Sequence, residues 1–229
     1  MRMKMKTLIF NGSPRKNWNT HKLLEAARMG AEHAGSEVEL THLYDYTFHG
    51  CTSCFACKVK GNRTNGVCAR RDEITELLEK VQDADVLIFG TPVYLHGATA
   101  QFRAFLERVL FPVTSYIKDE KTGQRIHIMK RNIATGLIYT MNNAEALMES
   151  KHYPVLLGVN GELLQAAFGH NEILYVNDTL QFDNYAVYEA DFFDEEHKKE
   201  HYLNQFPMDC KKACEMGKRL VKLAETWNG

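Results

Sequence analysis

The chain lacks any apolar run approaching the ~20 residues that cross a bilayer. Its N-terminus, MRMKMKTLIF, is basic and then briefly apolar, and it runs into NGS rather than a small-residue cleavage site. That run is shorter than the ~7–15 residues of a secretory signal core. These absences predict a cytoplasmic protein with no membrane association. An excess of either charge is missing too: 28 Lys and Arg face 29 Asp and Glu, for a net charge of −1. No global field would draw the chain to nucleic acid or an anionic lipid surface. Internal repeats, low-complexity tracts and interdomain linkers are also absent. What remains is one domain over 1–229, long enough and apolar enough, at 45% hydrophobic, for a well-buried α/β core.

Apolar runs alternate with helical periodicities. Residues 6–11 (KTLIFN), 37–43 (EVELTHL), 85–90 (DVLIFG), 132–140 (NIATGLIYT) and 172–177 (EILYVN) read as strands. Helices are expected over 19–34, 72–81 and 98–110, from 140 through about 157, and from about 194 to 226 with a bend near Pro207. Five β–α alternations imply a parallel sheet with right-handed crossovers in three α/β/α layers. The doubly wound order 2-1-3-4-5 follows, and it places a ligand beyond the carboxyl ends of the strands at the switch point. Two segments interrupt the alternation. One is a cysteine-rich insertion at about 49–70; the other, at about 112–131, has a KTGQ centre that reads as a hairpin.

The loop after the first strand, GSPRKNWNT, leads from a strand through a tight turn into a helix N-terminus. Such a place gathers backbone N–H groups and a favourable helix dipole for an anion. Ser13, Arg15, Asn19 and Thr20 carry the donors, while Asn19 or Thr20 can also serve as the helix cap. The loop is neither GxGxxG nor GxxxxGK[ST], which disfavours the dinucleotide fold and the P-loop. It resembles the GSPR-x-x-x-NT loop of flavodoxin-like NAD(P)H-dependent FMN reductases and iron–sulfur flavoproteins. The resemblance implies that Ser13, Arg15, Asn19 and Thr20 surround the phosphate of FMN.

The segment after the third strand, TPVYLHGATAQFRAFLER, is similar to the same family's [ST]-P-[VI]-Y-x-x-x-x-[ST]-x-x-[LF]-[KR]-x-[FL]-x-[DE]-R pattern. By resemblance, Pro92, Val93, Tyr94 and Leu95 line the isoalloxazine ring. Thr99 either contributes there or only caps its helix. After the fourth strand, Asn142 and Asn143 either reach the pyrimidine edge of the ring or cap the next helix, where the family often carries glycines or other small residues.

Four of the six cysteines fall in C-x2-C-x2-C-x10-C: Cys51, Cys54, Cys57 and Cys68. Thiolates at this spacing can converge on a cluster or ion, and in a reducing compartment they read as ligands before disulfides. Zinc also takes four thiolates, commonly as two pairs. The segment resembles that of iron–sulfur flavoproteins, which implies a [4Fe–4S] cluster; its final gap of ten is longer than theirs. Free thiols remain the alternative. Cys210 and Cys214 read as small core residues. His197 and His201, with Lys198 where a metalloprotease has Glu, read as a solvated face. Tyr185, Tyr188, Phe192 and Phe193 either cap the core or meet a second copy.

The resemblance implies an FMN-dependent oxidoreductase passing electrons from NAD(P)H to a quinone or other small acceptor, as a homodimer or homotetramer. Two alternatives stand beside it. One is an iron–sulfur flavoprotein relaying electrons from ferredoxin; the other is a non-catalytic electron carrier or zinc-stabilised binding module. The chemistry belongs to the flavin, so no catalytic side chain is expected.

Overall fold

The computed structural model describes residues 4–61, 64, 66–124, 128–129 and 131–227. Its main sheet runs β2 (Glu37–His42), β1 (Lys6–Asn11), β3 (Val86–Tyr94), β5 (Ile133–Thr140) and β6 (Gly169–Val176), with every neighbouring pair parallel. This is the expected 2-1-3-4-5 order. A two-residue strand, β4 (Gly97–Ala98), folds back antiparallel on the end of β3 and stands outside it.

Alternation within the strands builds two cores. Leu8, Phe10, Leu87, Phe89, Leu137 and Tyr139 face one side with Phe102 and Phe105 of α3 (Ala100–Val113). Ile9, Val86, Ile88, Ala134 and Ile138 face the other, under α1 (Asn19–His33) and α6 (Glu195–Trp227). Each Val, Leu, Ile or Phe among them contributes about 1.5–3 kcal/mol of burial. The α1–α6 crossing is made by two glycines. A Cβ on Gly30 would stand 1.9 Å from the carbonyl oxygen of Cys214, and one on Gly217 would stand 2.1 Å from that of Ala27. Cys210 and Cys214 are free thiols in this packing, and burial pushes the Cys210 thiol up.

Several boundaries differ from the sequence expectation. The helix after β5 is two helices, α4 (Glu145–Ser150) and α5 (Tyr153–Phe168), broken at His152 with φ 55. Pro154 has no N–H for an i−4 carbonyl, so it stands in the first turn of a new helix instead of continuing the old one. The fifth strand begins at Gly169, whose left-handed φ of 98 ends α5 and starts β6 directly. The α2 helix (Thr75–Asp83) starts later than expected, after a turn in which the Asp72 carbonyl accepts from the Thr75 N–H and the Thr75 hydroxyl accepts from the Asp72 N–H. Helix α6 is continuous through Pro207. Residues 111–113 complete α3, and the expected hairpin is a turn plus an isolated bridge at Lys118 among the described residues. There the Asp119 carboxylate accepts from the Lys121 and Thr122 backbone and the Thr122 hydroxyl. Arg125, Ile126, His127 and Lys130 lie outside the described residues, as do Asn62, Arg63 and Asn65 of the cysteine insertion.

Candidate functional site

At the carboxyl edge of the sheet, three loops and a fourth segment enclose a cleft of about 480 Å³. Ser13, Arg15, Asn19, Thr20, Pro92, Val93, Tyr94, Leu95 and Asn142 all line it. Asn143 stands apart from the lining: its amide donates to the Tyr153 hydroxyl at 3.1 Å, and its carbonyl accepts from the Asp178 N–H at 2.9 Å. Trp18, Thr140, Met141, Thr179, Leu180 and Gln181 complete the wall.

The first loop is held from behind. Burial holds His42, at the end of β2, below its ordinary pKa, so its neutral Nδ1 accepts from the Asn11 amide at 3.0 Å. The Asn11 side-chain Oδ1 then takes the Ser13 N–H at 2.9 Å, and the Ser13 hydroxyl takes the Arg15 N–H at 3.2 Å. No side chain caps α1, whose N-cap is Trp18 rather than Asn19 or Thr20. Those two side chains work elsewhere. Thr20 bonds the Thr140 hydroxyl at 2.8 Å, and Asn19 donates to the Leu180 carbonyl at 2.7 Å. The helix N-terminus therefore faces the cleft with its first-turn N–H groups uncapped by side chains.

The segment 179–181 forms a strap across one end. Arg15 donates to the Gln181 carbonyl at 2.6 Å and lies 4.0 Å over the Trp18 ring, whose indole N–H reaches the Leu180 carbonyl at 3.1 Å. Asn142 donates to the Gln181 side chain at 2.9 Å. Beneath the strap the buried Tyr185 hydroxyl accepts the Gln181 N–H, and Phe182 stacks on Tyr188 at 4.2 Å. Phe192 points to solvent, 91% exposed. Sequence reasoning missed this strap because NDTLQFD shows no periodicity.

The second loop is a tight reversal between β3 and β4. Leu95 and His96 both have left-handed backbones, φ 47 and 68, a conformation that costs non-glycine residues roughly 1–2 kcal/mol each. Leu95 stands 98% exposed on the lip, and burial pushes the Tyr94 phenol up. Thr99 caps α3, accepting from the Phe102 N–H at 3.3 Å, and its hydroxyl donates to the Gly12 carbonyl at 2.6 Å, joining the two loops.

The residues fit a flavin mononucleotide on one direct observation. Asn19 Oδ1 and Asn142 Oδ1 are buried in the cleft wall without a hydrogen-bond partner. Such atoms are costly unless a ligand donates to them.

A second, much smaller pocket of about 20 Å³ is lined by all four clustered cysteines with Phe55, Glu107, Arg108 and Phe111. Left-handed residues at Ser53 and Phe55, φ 52 and 55, curl the loop so that the thiols share one side. Arg108, 1% exposed, donates from Nε to the Cys68 sulfur at 3.0 Å. It also donates to Asp72 through both terminal nitrogens, and to the His49 and Arg70 carbonyls. Although burial alone would lower its pKa, Asp72 and Cys68 hold the guanidinium above its ordinary value. The Cys51 N–H donates to Glu107 at 3.2 Å. Lys58 caps the carbonyls of Phe111, Pro112 and Thr114 at the end of α3. Burial pushes the Cys57 thiol up.

A doubly wound sheet whose switch point carries an anion loop and a cleft of this shape defines a class, the flavodoxin-like flavoproteins. Comparison with known proteins narrows it: the chain belongs to the NADPH-dependent FMN reductase family, which it matches over residues 5–143. It is 39% identical over 106 residues to an iron–sulfur flavoprotein of Archaeoglobus fulgidus, covering 46% of each chain. It is 30% identical over 125 residues to one of Methanosarcina thermophila, covering 54% of this chain and 63% of that one. The chain thus spans about half the length of the curated relatives it matches. In fold it is similar to an NAD(P)H:quinone oxidoreductase from Methanothermobacter marburgensis, with a TM-score of 0.67 at 16% identity over 95% of this chain and 100% of that one. Among the described residues no helix is long and apolar enough to cross a membrane.

Proposed function

We propose that this oxidoreductase binds FMN in the switch-point cleft and a [4Fe–4S] cluster among Cys51, Cys54, Cys57 and Cys68. The observation that carries the reading is the meeting of all four cysteines around one pocket, set against the far end of the helix that Thr99 anchors at the cleft. Bound FMN supplies two-electron chemistry with a nicotinamide and one-electron chemistry with a cluster. The protein's part is placement. Ser13, Arg15, Thr20 and the α1 N-terminus hold the phosphate, Arg15 adding a charge-assisted contact. Asn19 and Asn142 accept from the ribityl chain and the ring. Pro92, Val93, Tyr94 and Leu95 lie along the ring, and the strap at 179–181 excludes water from one end.

Zinc fits the cysteine pocket less well. With Zn–S near 2.3 Å, a tetrahedral site needs sulfurs roughly 3.8 Å apart. Among the described residues the three ligand atoms found converging within 4.8 Å belong to Asp178, His197 and His201, not to the cysteines.

A second reading keeps the flavin and leaves the cysteines as thiols, with NAD(P)H reducing the flavin and a quinone or similar acceptor oxidising it. The exposed lip at Leu95, open to a flat substrate, favours it. Ferredoxin as donor and a homo-oligomeric assembly are further proposals on the family resemblance, as is a cytoplasmic location. Anaerobic loading with FMN, iron and sulfide, followed by metal analysis and NADH or NADPH titration, tests both readings. About four irons per chain with a broad brown absorbance supports the first. Flavin bleached by nicotinamide with four reactive thiols supports the second. No retained flavin overturns both.

A further inference from the structure

His197 and His201 read from sequence as a solvated face, and the fold gives them a third partner. Both lie on successive turns of α6, their ring centroids 6.0 Å apart. Asp178 reaches them from the loop after β6. Its left-handed backbone, φ 53, is fixed by its N–H on the Asn143 carbonyl. The carboxylate divides its oxygens. Oδ1 takes Lys198, which also donates to the Asn142 carbonyl. Oδ2 faces the histidines, 2.9 Å from His197 Nε2 and 3.7 Å from His201 Nδ1.

We propose that Asp178, His197 and His201 form a divalent transition-metal site, with zinc the cation it suits best. Bonds to zinc of about 2.0–2.2 Å from imidazole and carboxylate put neighbouring ligand atoms roughly 3–3.6 Å apart. The two distances from Oδ2 straddle that range, and all three ligand atoms fall within 4.8 Å of one another. Histidines at i and i+4 supply two ligands from one helix face, and His197, with 60% of its side chain exposed, leaves an entry path. Lys198 keeps Oδ1 and orients the carboxylate as an outer hydrogen-bond donor, so the metal need not displace it. Two imidazoles and one carboxylate with open positions suit zinc, cobalt(II) or nickel(II) over calcium or magnesium. Binding would pin the first turns of α6 to the loop that continues into the strap.

The test is equilibrium dialysis of untagged protein against Co²⁺, counting equivalents bound in wild type, in the double variant His197→Ala/His201→Ala and in Asp178→Asn. Cobalt bound at the cysteines is common to all three and cancels in the difference. Both histidines lie on the outer face of α6, so the double variant keeps the core intact. The expected result is one equivalent fewer in each variant than in wild type. A Zn²⁺-induced rise in melting temperature that survives mutation of the four clustered cysteines to serine and disappears when the histidine pair is also changed would agree. Equal stoichiometry in wild type and the histidine double variant overturns the site.

Discussion

Arg108→Met is the sharpest test of the cysteine region. The guanidinium is 1% exposed and supplies five hydrogen bonds, to the Asp72 carboxylate twice, to two carbonyls and to the Cys68 sulfur. Methionine fills much of the volume and donates nothing. Asp72, 15% exposed, then keeps its charge without a partner at this position, and the carbonyls of His49 and Arg70 lose their donor. Removing one member of a buried ion pair costs about 3–5 kcal/mol. Partial access of water to Asp72, and its second contact with Arg70 at 3.7 Å, put the expectation at the lower end, about 3 kcal/mol. Urea denaturation read by tryptophan fluorescence and by circular dichroism measures it. Arg108→Lys keeps the charge and loses the fork, so about half the cost should remain. A loss under about 1 kcal/mol for Arg108→Met would refute the idea that this residue ties the cysteine loop to α3. Iron incorporation provides a second readout: it should fall in Arg108→Met even where the variant is fully folded, because Cys68 has lost its orienting donor.

Arg15→Met removes one charge-assisted contact, worth about 1.5–3 kcal/mol, so FMN affinity by fluorescence titration should weaken roughly 10–100-fold. Leu95→Asn should stabilise the protein by roughly 0.5–1 kcal/mol, because asparagine tolerates the left-handed turn and almost no packing is lost at an exposed site; a lower melting temperature would contradict the strain. Burial pushes Asp178 up, but its bonds to Lys198 and His197 outweigh that and leave its carboxyl below the ordinary value. A depressed carboxyl stabilises above its unfolded pKa of about 3.9 and loses that contribution as pH falls through its lower folded pKa. The stability gap between wild type and Asp178→Asn should therefore shrink below about pH 4, measured by urea midpoints. Ligand thiols must ionise, and burial raises Cys57, so iron loading should decline as the loading pH is lowered.

Most of the scaffold was legible because parallel strands buried on both faces are short apolar runs, as VLIFG and IATGLIYT show. The anion loop was legible because strand, turn and helix follow one another along the chain. Tertiary recruitment hid the rest. The strap reaches the first loop across more than 160 positions, through backbone carbonyls that carry no side-chain signature. Asp178 meets His197 and His201 from another element. Asn142 and Asn143 look equivalent in sequence, yet only Asn142 lines the cleft, because the alternate one turns back toward Tyr153. At His152 an otherwise helical pattern hides the short-range effect of Pro154, which starts a new helix.

The glycine crossing of α1 and α6 bears on how the polypeptide is made. One face of β1, β3 and β5 is shared between α1 and residues 206–224, so the part under α6 stays wet until those residues have left the ribosome. The nascent chain thus carries a partly bare apolar surface until late in its synthesis, a state in which chaperones bind and neighbouring copies stick. Gly30 and Gly217 let the late helix seat in backbone-to-backbone contact, and a methyl at either place would prolong that vulnerable interval.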